Sequence, residues 1–244
     1  MKVRLTKKAY ILPFIALTSL FSLKVSSIGK KTTGVVTAPP VAVVSAAEML
    51  YEQLSLDSLG LSRDAYFLAL KGHEQLLKEG KLRNDDIISI VDFSLPSTKK
   101  RLFVIDISTG QLIFNTLVSH GRNSGKQMAT SFSNAPESYK SSLGFYATGT
   151  TYKGKHGYSL RLEGLERGIN DKAMERAIVM HAAAYVNDML GRKQGYIGRS
   201  LGCPALPVNL SRKIIRTIQN GSCLFMYSPD TNYLSRSKFL QQTA

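Results

Sequence analysis

After Asp92 the apolar residues of this chain stop recurring at helical spacing and begin to alternate, and that switch limits the fold more than any other feature. Residues 101–107 (Arg-Leu-Phe-Val-Ile-Asp-Ile) and 111–118 flank Ser108-Thr109-Gly110, which predicts a β-hairpin with a glycine-containing turn. Further strands are predicted over residues 144–151, 158–162, 178–185 and 223–227. Helices are predicted over 170–177, with Asn170 or Asp171 as cap, and over 210–219, closed by Asn220-Gly221. Several short strands with turn signals and few helices make the chain mainly β, a sandwich or barrel rather than a parallel α/β sheet.

Upstream, residues 48–92 read as an N-terminal helical segment. Leu50, Leu54, Leu61, Ala65, Leu68, Ala69, Leu76 and Leu77 lie near helical spacing, and Ser62-Arg63-Asp64 resembles a helix start, so two short helices are expected to cap the β domain of residues 93–244. Residues 28–47 are rich in Val, Ala, Thr, Gly and Pro, with Pro39-Pro40 and no helical period, and read as an extended linker.

The first 27 residues have the form of a secretory signal peptide. Lys2, Arg4, Lys7 and Lys8 precede an apolar run over residues 9–23, and small residues follow at Val25, Ser26 and Ser27. The run contains Pro13 and falls short of the roughly 20 apolar residues that span a bilayer. Export to the periplasm or cell envelope is therefore expected, with no stable membrane insertion once the signal is cleaved.

Removing that segment changes the charge. The whole chain carries 32 Lys+Arg against 17 Asp+Glu, a net +15. Five of the basic residues and none of the acidic ones lie in residues 1–27, so the mature chain carries +10. A basic excess suits an anionic polymer, but no nucleic-acid recognition motif occurs and export argues against such a partner. With 43% hydrophobic residues the chain is too apolar for disorder, and two cysteines are too few for a disulfide scaffold.

Those cysteines sit in unlike settings. Cys203 lies in Gly198-Arg199-Ser200-Leu201-Gly202-Cys203-Pro204-Ala205-Leu206, a glycine loop whose backbone N–H groups can face an oxyanion. A thiol needs a base or a lowered pKa to attack, and His181, 22 residues upstream beside an apolar strand, makes Cys203 and His181 the candidate nucleophile and base. Spacing leaves other readings open: His181 as a hydrogen-bonded core residue, Cys203 as a small buried hydrophobe, or a Cys203–Cys223 disulfide formed after export. Cys223, beside Leu224-Phe225-Met226, reads as core.

His181 followed by Ser200-Leu201-Gly202-Cys203 resembles the active-site pattern of the L,D-transpeptidases of bacterial peptidoglycan, and is most similar to the murein L,D-transpeptidase catalytic domain subgroup. Supporting stretches are residues 140–145, 154–160, 170–177 and 198–206, within a resemblance that spans residues 99–228 and leaves out 28–90. The resemblance implies a mostly β catalytic domain in which Cys203 attacks the carbonyl between the third residue of a tetrapeptide stem and its terminal D-alanine. It implies His181 as base, oriented by the backbone carbonyl of Ala182, and the N–H groups of Gly202 and Cys203 as oxyanion donors. No cofactor or metal is implied. The thioester would pass to an amine of a second stem or to water, which leaves a transpeptidase, an L,D-carboxypeptidase or a non-catalytic peptidoglycan-binding protein as alternatives.

Three positions depart from the family's pattern: Leu201 for its histidine, Ala182 for the glycine after the base, and Ala205 for an arginine thought to hold a substrate carboxylate. Arg199 is the candidate replacement, since a guanidinium can grip a carboxylate bidentately, and it reads equally as a solvated loop charge. Ser200, His156 and Tyr158 complete the expected substrate-binding set. His120, His156, His181 and Cys203 include metal-ligand types, but no compact ligand spacing supports a metal site. A thiolate–imidazolium pair would give an acylation rate that rises as Cys203 ionises and falls as His181 loses its proton. The expected partner is the peptidoglycan stem peptide, and the expected state a monomer.

Overall fold

The computed structural model describes residues 45–241. The signal peptide and residues 28–44 of the predicted linker lie outside them. Two helices come first, α1 (Ala46–Gln53) and α2 (Arg63–Lys78). Ser45 and Ser62 cap them, each hydroxyl accepting the N–H of the residue three positions on. Helix α1 begins at Ala46, so the last residues of the predicted linker are helical.

Eight strands form one curled mixed sheet: β1 (Ile87–Asp92), β2 (Leu102–Asp106), β3 (Gln111–Thr116), β4 (Gly144–Gly154), β5 (Gly157–Gly164), β6 (Val179–Ala182), β7 (Ala205–Leu206) and β8 (Cys223–Tyr227). Their order is β3-β2-β1-β8-β4-β5-β6-β7. The β1–β8 and β6–β7 pairings are parallel and the others antiparallel. The mainly β expectation holds, and the hairpin predicted around Gly110 is β2–β3, with Gly110 at φ +65°.

Strand β1 lies within the span predicted to be helical, at the centre of the sheet between β2 and β8. All six of its residues are buried. Because side chains alternate across a strand, both of its faces are covered. Helices α2 and α4 (Val208–Ile218) both pack against it. At Gly72 of α2 a Cβ would lie 1.9 Å from the Phe145 ring, and Phe145 itself stacks on Phe225 at 4.2 Å. Tyr51 and Tyr66 join this same core. Residues 46–92 thus share one core with the sheet rather than sitting outside it.

The helix predicted over residues 170–177 is instead a run of turns. Asn170 is fully buried and does not act as a helix cap. Its Oδ1 accepts the Glu166 N–H and its Nδ2 donates to the carbonyls of Leu143 and Phe145. Three short α-helices unmarked in the sequence reading, α3 (Asp188–Gln194), α5 (Thr231–Arg236) and α6 (Lys238–Gln241), complete the α-helices among the described residues.

Candidate active site

The short parallel pair β6–β7 sets the geometry. His181 pairs with Ala205, two residues beyond Cys203, so the loop entering β7 runs alongside the strand that carries the histidine. Cys203, His181, His156, Arg199 and Ser200 all line one cleft of about 450 Å³, with Tyr152, Lys155, Arg176, Tyr185 and Leu201. Among these lining residues there is no carboxylate.

His181 is buried, and its Nδ1 lies 2.9 Å from the Ala182 carbonyl. That contact makes Nδ1 the donor and leaves Nε2 without its proton, the tautomer a base needs. Burial, opposed by that carbonyl and assisted by His156, holds the imidazole below its ordinary range. The His156 ring lies 4.3 Å away, tilted by 22°. Hairpin β4–β5 brings it there: Gly154 pairs with Gly157, which leaves Lys155 and His156 as the two-residue tip.

The Cys203 thiol is partly exposed and free, and Cys223 is a separate free thiol fully buried in β8. The two are not joined by a disulfide. The Val179 N–H points to the Cys203 sulfur at 3.5 Å, and the thiol faces the Ala177 carbonyl at 3.8 Å. Burial pushes the thiol up, while the Val179 N–H and the Arg176 charge pull it down. A raised thiol beside a lowered imidazole favours the neutral pair. Both directions run against the resting ion pair expected from the sequence.

Gly202 is at φ +127°, and a Cβ there would lie 2.8 Å from the Lys140 carbonyl oxygen. Only glycine fits that turn. Its N–H donates to Ser200 Oγ at 3.0 Å, so the donor expected to serve an oxyanion already has an acceptor. The Ser200 hydroxyl donates to the Cys203 carbonyl at 2.6 Å, and its backbone N–H to the His120 carbonyl at 2.9 Å. Ser200 thus braces the loop that carries Cys203.

Arg199 donates through Nη1 to the carbonyls of Arg122 and Gly125, and its Nη2 and Nε have no hydrogen-bond partner among the described residues. Ala205 is fully buried in β7, which leaves no room there for an arginine head group. Tyr158 lies outside the cleft, beneath the Arg212 guanidinium of α4 at 5.3 Å. His120 is also outside it. Its Nδ1 accepts from the fully buried Arg101 at 2.7 Å and its Nε2 donates to the Gly125 carbonyl at 3.2 Å.

Two cleft residues escaped the sequence reading. Arg176 donates to Ser133 O, Ser142 Oγ, Ser138 Oγ and Lys140 O, which fixes its charge beside the sulfur. Tyr185 also lines the cleft, and at Gly198 a Cβ would lie 2.4 Å from the Tyr185 Cβ and 2.6 Å from its ring. Arg176 sits five residues before His181 in a stretch already quoted, yet only the fold brings it to Cys203.

The sequence profile of the L,D-transpeptidase catalytic domain matches residues 58–227. The chain belongs to that family. The match begins upstream of the region the sequence reading credited, in keeping with α2 and β1 as parts of the catalytic fold. Solved structures similar to this L,D-transpeptidase-family chain include an L,D-transpeptidase from Mycobacterium smegmatis, at 12% identity over 59% of this chain and 59% of that one, with a TM-score of 0.37. The helical cell shape determining protein of Campylobacter jejuni matches at 16% identity over 70% and 58%, TM-score 0.38. An L,D-transpeptidase of Xylanimonas cellulosilytica matches at 13% over 74% and 93%, TM-score 0.34. The chain spans less than two thirds of the first two. No curated protein sequence matches it.

Proposed function

We propose that this family member is an exported cysteine acyltransferase that cross-links peptidoglycan through a thioester on Cys203. The observation that carries the reading is the shared cleft: a partly exposed thiol lies with a histidine whose Nδ1 is committed to the Ala182 carbonyl, so Nε2 is the free base. His181 takes the thiol proton as sulfur attacks the stem carbonyl before the terminal D-alanine. The Cys203 N–H faces the developing oxyanion, with the fixed charge of Arg176 nearby, a kind of stabilisation worth a few kcal/mol per donor. The C–N bond then breaks, the proton passes from His181 to the departing amine, and D-alanine leaves.

An amine of a second stem attacks the thioester, gives up a proton to His181 and restores the thiol, leaving a cross-link. Arg199, with part of its guanidinium unpartnered, holds a donor carboxylate. Among the described residues no helix is long and apolar enough to cross a membrane, and we assign the basic, apolar N-terminal 27 residues to export as a cleaved signal. The acting unit is the monomer, and no cofactor takes part. Incubation of purified protein with tetrapeptide muropeptides tests the reading: new dimers that vanish with Cys203→Ala support it. Tripeptides without dimers make it a carboxypeptidase, and an unchanged profile with binding to sacculi makes it a wall-binding protein.

A further inference from the structure

We propose that His156 is a positioning residue for the base: stacked face to face on His181, it fixes the plane of that ring. The inference rests on the assignment of His181 as base. It adds to that assignment a second histidine which does not touch the reacting sulfur.

Two contacts hold the His181 ring. The rings are 4.3 Å apart and 22° from parallel, a stacking distance at which rotation of the buried ring requires displacement of the outer one. His181 is held in its plane at one edge by the Ala182 carbonyl, 2.9 Å from Nδ1. His156 closes the open face. It reaches there because Gly154 and Gly157 pair across the end of β4–β5, with Gly157 at φ +75°, so the two residues between them turn back over β6.

The test follows the His181 ring and activity separately in the wild type, His156→Phe and His156→Ala. The chain has four histidines, so their ring signals can be assigned by substitution and followed by NMR. Phenylalanine keeps the stack and alanine removes it. The expected result is a His181 ring that stays fixed in His156→Phe and becomes mobile in His156→Ala, with the plateau rate of lactam acylation roughly tenfold lower in His156→Ala and less reduced in His156→Phe. A His181 ring equally fixed in all three forms, or equal plateau rates in the two variants, overturns the proposal. If no form acylates, the proposed function fails, while the NMR comparison still decides the positioning role.

Discussion

The hydroxyl of Ser200 donates to the carbonyl of Cys203 across 2.6 Å, and the same oxygen accepts the Gly202 N–H at 3.0 Å. This serine, expected to bind substrate, ties the loop that carries Cys203 to itself. Ser141 completes the brace by donating to the Gly202 carbonyl at 3.1 Å.

Ser200→Ala should therefore misplace the sulfur without removing any reacting group. We expect the acylation rate to fall about ten- to a hundredfold and stability to drop by about 1–2 kcal/mol as the Gly202 N–H loses its acceptor. Stopped-flow acylation and thermal unfolding measure the two. Wild-type kinetics in this variant would mean the brace has no catalytic consequence.

Arg176 holds its charge near sulfur through four hydrogen bonds. Replacing it with methionine should raise the Cys203 titration, read as a shift to higher pH in the alkylation rate with iodoacetamide. Arg176→Lys should keep most of the charge effect yet melt earlier, because an ammonium cannot span the same acceptors. If Arg176→Met titrates like the wild type, the charge does not reach the thiol.

How much of this was legible beforehand depended on the range of the forces involved. The β2–β3 hairpin and the Ser62 cap are local, and alternation, Gly110 and a serine hydroxyl announce them. Strand β1 is six buried residues, Ile87–Asp92, and a run covered on both faces has no period to separate it from a buried helix. Asn170 looked like a cap because its side chain suits one, but it is committed to Glu166, Leu143 and Phe145. Cys203, His181 and the Ala182 carbonyl were found through a motif. Arg176 and Tyr185 enter the cleft only by folding, and Tyr158 leaves it for α4.

The shifts of the central pair set a pH profile. His181 lies below its ordinary value, chiefly through burial, and Cys203 lies above its own for the same reason. General-base attack then requires neutral His181, so the acylation rate should rise as that proton is lost, with its midpoint below 6.5, and reach a plateau. No fall should follow as pH increases, because the neutral imidazole is the active form. A bell with a descending limb near neutrality would restore the ion pair.

His120 gives a stability prediction. Burial, then the neighbouring Arg101, lower it from 6.5 to about 3. Between those values the unfolded chain binds a proton that the folded chain refuses, so stability present above 6.5 is lost as pH falls through the window. At about 1.4 kcal/mol per unit, the loss approaches a ceiling of roughly 5 kcal/mol, and His73 and His181, also lowered, act in the same direction. Urea midpoints measured from pH 7 to pH 4 should fall less steeply in His120→Gln than in the wild type. Equal slopes would show that His120 is not refusing the proton.

The central claim is that Cys203 forms the acyl-enzyme, and intact-protein mass spectrometry after exposure to a carbapenem-type lactam tests it most directly. The account predicts one covalent adduct per chain, mapped by digestion to the peptide bearing Cys203 and absent from Cys203→Ala. An adduct that persists in Cys203→Ala, or that maps to Cys223, would contradict it.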